Sequence, residues 1–301
     1  MTEPNFFILG APKCGTTSMA TWLSQHPNIY MSPWKEPKYF DRDLKTRFRL
    51  SREAYLTLFD NAGEQHHAVG EATVWYLYSR EAVPAIEREL PGARYIVMLR
   101  NPVDMAYALH EQCTSSGNEH VRDFDKAWRL SPLRRKGLVA RPWLVEPRRL
   151  DYQAVCSLGD QMRRLFGSIH RERVLTLILD DLRADPSREY RRVLQFLNVP
   201  DDGRRDFPVH NPAKRVRWQA AQPLLAAAKK GERIVRSRLG LPAAHSQFLQ
   251  DLGMKNRVAR PRPPMAPELR AELQEFFAPD IALLSDILQR GLSHWLADPA
   301  G

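Results

Sequence analysis

The chain of 301 residues has few cysteines, no long apolar run and no internal repeat. Cys14, Cys113 and Cys156 are scattered and odd in number, so neither a disulfide framework nor a cysteine zinc site is encoded, and a reducing, cytoplasmic setting is expected. No stretch approaches the ~18 consecutive apolar residues of a membrane span, and no charged segment near the start leads into an apolar one. Neither membrane spanning nor export is expected. What is present is ordinary for a globular protein: 43% hydrophobic and 27% charged residues. The 45 Lys+Arg against 35 Asp+Glu leave a net charge of +10. That sign favours acidic partners without choosing among nucleotides, nucleic acid, membranes and anionic substrates.

One stretch organises the rest. Phe6 to Leu9 is a short apolar run that reads as a buried strand, residues 10–15 break it with Gly and Pro, and Thr16-Thr17-Ser18 opens an amphipathic helix with Met19, Trp22 and Leu23 on one side. Backbone N–H groups at such a helix start converge and carry part of the helix dipole, which favours an anion. The spacing departs from a nucleotide-triphosphatase P-loop. Gly10 and Gly15 fit, but Thr16 occupies the lysine position, and Lys13 comes two residues before the second glycine. Mg-ATP is therefore disfavoured.

Farther on, residues 29–31 read as a second strand, expected beside the first. It leads into a stiff loop, 32–40, that carries Glu36. Ligand sites in open α/β sheets lie beyond the strands' carboxyl ends. Glu36 is there either to take a proton or to pair with Lys35 or Lys38 in solvent. Residues 41–66 form a polar excursion with one helix near 51–59. A strand at 68–71, an aromatic turn at 72–78 and a helix at 80–90 follow. The strand at 93–99 runs into Arg100, placing a phosphate-binding cation where a kinase would have a Mg-organising Asp; Asp104 is the alternative partner of that arginine. Residues 119–149 read as irregular and basic, with Trp128, Trp143 and the run Arg134-Arg135-Lys136, either a nucleic-acid surface or a solvated face with anchoring tryptophans. A helix at 152–166, a strand at 173–179 and a helix ending at 197 come next. The segment 209–218 reads as a basic loop carrying Lys214, Arg215 and Arg217. Beyond it are a helix at 219–238, a Pro-rich linker at 260–264 and two last helices, 267–277 and 281–296, the second containing Gly291. Strands alternating with helices predict a single α/β domain around a mostly parallel sheet, with a helical C-terminal portion from about 219.

With Lys13, Glu36 and Arg100 in hand, the chain resembles the sulfotransferases that use 3′-phosphoadenosine 5′-phosphosulfate (PAPS), in particular their bacterial and carbohydrate-type branch. Residues 12–18 look like that family's 5′-phosphosulfate loop, residues 99–107 like its 3′-phosphate segment, and residues 35–40 like its carboxylate-bearing loop. Residues 181–186 also look like the family. The resemblance implies a P-loop-like fold and in-line transfer of a sulfuryl group to a hydroxyl or amine of a carbohydrate, lipid or other small-molecule acceptor, with 3′,5′-adenosine bisphosphate (PAP) as product and no metal. It assigns Lys13 to the bridging oxygen and Cys14, Gly15, Thr16, Thr17 and Ser18 to the 5′-phosphate. Arg100, helped by Lys214, Arg215 and Arg217, takes the 3′-phosphate, and Glu36 acts as general base. Two positions depart from the pattern: Ala108 stands where a phosphate-binding serine is usual, and Lys38 where a histidine is frequent. The competing readings are a Mg-ATP-dependent P-loop kinase and a basic nucleic-acid-binding protein.

Overall fold

In the computed structural model, residues 2–46, 48–139, 146–209 and 264–297 are described, with the backbone of two short strands at 214–216 and 257–259. Five strands, β1 (Phe6–Gly10), β2 (Ile29–Met31), β3 (Ala68–Ala72), β4 (Arg94–Leu99) and β5 (Val174–Ile178), form one parallel sheet in the order β2-β3-β1-β4-β5. The sequence Phe-Phe-Ile-Leu-Gly suits the central position of β1, because a parallel strand covered on both faces has no polar side to show. β2 pairs with β3 and not with β1, which corrects the expected neighbour. Gly70 of β3 is required by close approach: a Cβ there would lie 2.5 Å from Cε1 and 2.6 Å from the carbonyl oxygen of Phe6.

The helices are α1 (Thr16–Leu23), α2 (Arg52–Leu56), α3 (Ala82–Glu89), α4 (Pro102–Ser115), α5 (Phe124–Arg129), α6 (Ser131–Arg135), α7 (Tyr152–Cys156), α8 (Leu158–Phe166), α9 (Leu179–Ala184), α10 (Pro186–Leu197) and α11 (Pro267–Leu288). Among the described residues no helix is long and apolar enough to cross a membrane. α4 starts as its sequence indicates. Pro102 takes the first turn, and the Asn101 side chain accepts the N–H of Val103 at 3.0 Å.

Several boundaries differ from the sequence reading, each for a tertiary reason. The helix expected over 152–166 breaks at Ser157, and Gln161 donates to the carbonyls of Val155 (2.9 Å) and Ser157 (3.1 Å), so the buried break is satisfied. The two helices expected at the C-terminal end are one, α11, which runs through Pro279 and stops at Gln289, leaving Gly291 beyond it. Its buried stripe Leu273, Phe277, Ile281 and Leu284 keeps helical spacing across the proline. Burial of that face outweighs the roughly 3 kcal/mol that an interior proline costs. The next residue, Asp280, accepts the N–H groups of Gly159 (2.8 Å) and Asp160 (3.0 Å), holding α11 against the start of α8.

The described residues of 119–149 are not irregular, and Trp128 is anchored as expected. They contain α5 and α6, Trp128 is 1% exposed, and Arg134 is buried in an ion pair with Glu119 at 2.7 Å. Arg135 pairs with Asp151 at 2.7 Å. The neighbouring Trp143 lies outside the described residues, as do the expected helix at 219–238 and positions 260–263 of the linker. Within the expected basic loop, residues 214–216 form the strand β6 (Lys214–Val216), paired antiparallel with β7 (Arg257–Ala259).

Gly70→Ala tests the packing of β3 on β1. The added methyl meets a ring and a backbone carbonyl of a strand paired on both sides, so a loss of about 1–3 kcal/mol is expected, read as a lower urea midpoint at unchanged slope.

Candidate active site

The strand that leads into the loop is closed on both sides. After β1, the N–H of Ala11 donates to the carbonyl of Met98 on β4 at 2.7 Å. Gly15 then adopts φ 89°, which glycine tolerates, and a Cβ there would lie 3.1 Å from Leu179 and 3.3 Å from Leu182. α1 starts at once. No side chain caps it, and no acidic residue lies in its first turn, so the positive end of its dipole is not neutralised from within the helix. Thr16 and Ser18 are buried and Thr17 is half-buried. The Cys14 side chain faces the core, its Sγ 3.4 Å from the Pro12 carbonyl, and burial pushes its thiol up to about 12. Cys14 therefore presents no thiolate to a ligand.

Lys13 and Arg100 flank this helix start. Arg100 directly follows β4, is 8% exposed, and its Nη1 donates to the Lys13 carbonyl at 3.4 Å. The alternative partner, Asp104, lies 3.9 Å from Arg100 but 2.8 Å from Arg270 of α11. Asp104 is thus drawn mainly toward α11, and the guanidinium of Arg100 stays beside the loop. Ala108 is buried in α4.

Glu36 reaches the same end of the sheet by way of β3. The N–H of Ser32 donates to Gly70 at 2.8 Å, and that of Glu36 to Ala72 at 3.0 Å. Its carboxylate lies 3.6 Å from Lys35 Nζ and 3.6 Å from Lys38 Nζ, so the lysine pairing read from the sequence is present on both sides. Arg49 grips the loop from outside, donating to the carbonyls of Lys38 (2.8 Å), Tyr39 (3.1 Å), Asp41 (3.0 Å) and Leu44 (2.9 Å). Three non-glycine residues here hold left-handed backbone: Lys13 (φ 67°), Glu36 (φ 59°) and Lys38 (φ 56°). Asn198 and Gln289, which share that conformation, are ordinary helix C-caps. Each strained residue costs about 1 kcal/mol or more and persists only when its surroundings over-determine it, a pattern concentrated at functional sites.

Two features escaped the sequence reading. Arg149 lies 4.8 Å from the Trp75 ring centroid and 3.6 Å from Asp41 Oδ2. Burial lowers its pKa, and the carboxylates of Asp41 and Glu36 oppose that shift; Asp41 itself is pushed up to about 6 by burial. A basic segment with six arginines and lysines between positions 134 and 149 gives no sign of which one turns inward. The second feature is Glu71 on β3. It is fully buried and accepts the hydroxyls of Thr73 (2.6 Å), Tyr76 (2.8 Å) and Tyr55 (3.1 Å). The side chains of Lys214, Arg215 and Arg217 lie outside the described residues.

A parallel sheet whose central strand runs through a short loop into an uncapped helix start defines a P-loop-like α/β protein. The family model for the sulfotransferase domain matches residues 3–211, and the chain belongs to that family. It is 33% identical to human carbohydrate sulfotransferase 15 across 40% of this chain, and spans 29% of that protein's length. It is 30% identical to human heparan sulfate glucosamine 3-O-sulfotransferase 6, across 37% of this chain and 31% of that protein. Among solved structures, a sulfotransferase from Alicyclobacillus acidocaldarius superposes with a TM-score of 0.72 at 28% identity, covering 99% of this chain and all of that one. The mouse sulfotransferase SULT7A1 complexed with PAP shares the fold, with a TM-score of 0.50 at 13% identity over 93% of this chain and 86% of that one.

Burial raises the Glu71 carboxyl from the ordinary 4.5 to about 7, against its three hydroxyl donors. Between those values the folded chain holds a proton that the unfolded chain has released, so this contribution to stability is full below pH 4.5 and is lost as pH rises through about 7. Glu71→Gln removes the titration. From pH 5 to pH 8 the natural chain should lose on the order of 2 kcal/mol relative to the variant, measured by urea unfolding at both pH values.

Proposed function

We propose that this chain moves the sulfuryl group of PAPS to a hydroxyl or amine of an acceptor, and that the acceptor is a carbohydrate. What supports the reading is that an uncapped helix start, Lys13 with Arg100 donating to its carbonyl, and Glu36 with its left-handed backbone all follow strands at one end of the sheet. The donor set suits a nucleotide with separate phosphates, because backbone N–H groups and hydroxyls gather on one side and a guanidinium on the other. When bound, PAPS supplies an activated sulfuryl group whose bridging oxygen gains charge as the bond to sulfur breaks. The N–H groups of residues 14–17 and the hydroxyls of Thr16, Thr17 and Ser18 hold the 5′-phosphate. Arg100 holds the 3′-phosphate, with Lys214, Arg215 and Arg217 as its assigned helpers. Lys13 sets its ammonium against the developing negative charge, an electrostatic role that needs no proton transfer. Glu36 accepts the acceptor's proton on a carboxylate oxygen. The carbohydrate acceptor rests on the names of the human relatives, a carbohydrate sulfotransferase and a heparan sulfate glucosamine 3-O-sulfotransferase.

The kinase reading is not favoured, since Thr16 stands at the P-loop lysine position and Arg100 where a Mg-binding Asp is needed. PAP in Mg-free buffer should raise the melting temperature of the chain; stabilisation by Mg-ATP alone would overturn the proposal. Glu36→Gln should keep the PAP response and lose ~10²–10⁴-fold in kcat, measured with labelled PAPS and the saccharide that accepts label in a panel of glycans, lipids and phenols. Full turnover in that variant would remove Glu36 from the chemistry.

A further inference from the structure

The loop that carries Glu36 is fastened to the buried hydroxyl of Tyr76. The backbone N–H groups of Tyr39 and Phe40 both donate to Tyr76 Oη, at 3.1 and 3.3 Å. A phenol has one proton and two lone pairs. Tyr76 can receive both amides only while its own proton points elsewhere, and that proton goes to Glu71 at 2.8 Å. Glu71 is in turn fixed by Thr73 and Tyr55. All of Tyr55, Glu71, Thr73 and Tyr76 are buried, so water does not compete for these groups. The segment just before Tyr39 contains the two left-handed residues Glu36 and Lys38, and Glu36 donates its own N–H to Ala72, next to Glu71 in β3.

We infer that Tyr76 and Glu71 are positioning residues: Glu71 orients the Tyr76 hydroxyl, and that hydroxyl locks the 36–40 backbone so that the Glu36 carboxylate faces the acceptor. The inference rests on the assignment of Glu36 as base and adds the device that aims it. The groups assigned to the nucleotide lie on other segments, after β1 and β4. A purely structural role would lower stability without separating turnover from nucleotide binding. The positioning role separates them.

The test is Tyr76→Phe, which keeps the ring and deletes only the oxygen. Three results are expected. Hydrogen exchange of the Tyr39 and Phe40 amides accelerates while the β1 and β4 amides keep their protection. The melting-temperature rise with PAP is retained. With labelled PAPS and the accepting saccharide found above, kcat falls about 10²-fold, the scale of a misplaced reacting group, at unchanged KM for PAPS. The double variant Glu36→Gln with Tyr76→Phe loses no more than Glu36→Gln alone, because both changes act through one carboxylate. Natural exchange at Tyr39 and Phe40, natural kcat, loss of the PAP response, or a multiplicative double variant each overturns the proposal. If Tyr76→Phe does not fold, Glu71→Gln carries the same test, with the same direction and a smaller loss. If Glu36→Gln alone keeps full activity, it is the base assignment that fails, and exchange at the two amides still decides whether the tether exists.

Discussion

The fixed point of the molecule is β1. Phe6, Phe7, Ile8 and Leu9 are all 0% exposed, and the strand is hydrogen-bonded to β3 on one side and β4 on the other. Its last carbonyls reach into the neighbouring turn, with Thr73 N–H donating to Ile8 at 3.1 Å and Leu77 N–H to Leu9 at 2.9 Å. The loop bearing Lys13, the turn bearing Tyr76 and the strand leading into Arg100 therefore share one scaffold. Because all five strands are parallel, their carboxyl ends open on the same side, and strand order alone decides which loops meet there. The loop after β2 comes within reach only because β3 lies between β2 and β1 and lends it hydrogen-bond acceptors at Gly70 and Ala72.

Charge follows the same logic of placement over sum. A net charge of +10 does not by itself choose a ligand. Many individual cations are paired inside the fold, Arg134 with Glu119 at 2.7 Å, Arg135 with Asp151 at 2.7 Å, Arg290 with Asp181 at 2.8 Å and Arg270 with Asp104 at 2.8 Å, and such pairs leave the excess of positive charge as it was. The first turn of α1 contrasts with these, having no acidic residue and no side-chain cap. An anion entering there meets the helix dipole beside Lys13 and Arg100, and desolvation strengthens each interaction.

How much of this the sequence disclosed depended on how far apart the interacting residues lie. All five strands were legible, because an apolar run needs no partner to be recognised. Lys13, Glu36 and Arg100 could be singled out as candidates because each lies in the segment that follows such a strand. The breaks at Ser157 and the continuity through Pro279 were not, because Gln161 and the buried face of α11 settle them from outside the local pattern. Arg149 looked like any member of a basic segment until Asp41 and Trp75 were brought to it. The left-handed backbone of Lys13, Glu36 and Lys38 was invisible for a different reason. Neither lysine nor glutamate prefers that conformation, so their identity gives no hint of it.

That last point bears on why a carboxylate is buried under the site at all. A buried polar cluster is seldom the most stable filling for a core, and well-packed apolar side chains in the place of Glu71 and its hydroxyls would hold β3 at least as firmly. An apolar side chain, however, accepts no amide hydrogen bonds. The loop at 36–40 carries two left-handed residues that relax unless something outside the loop holds them. Tyr76 is one such restraint, and its oxygen faces both amides because Glu71 takes its proton. On the proposal made above, the buried acid trades some stability for orientation, the property that Glu36 would need as a general base before its basicity matters.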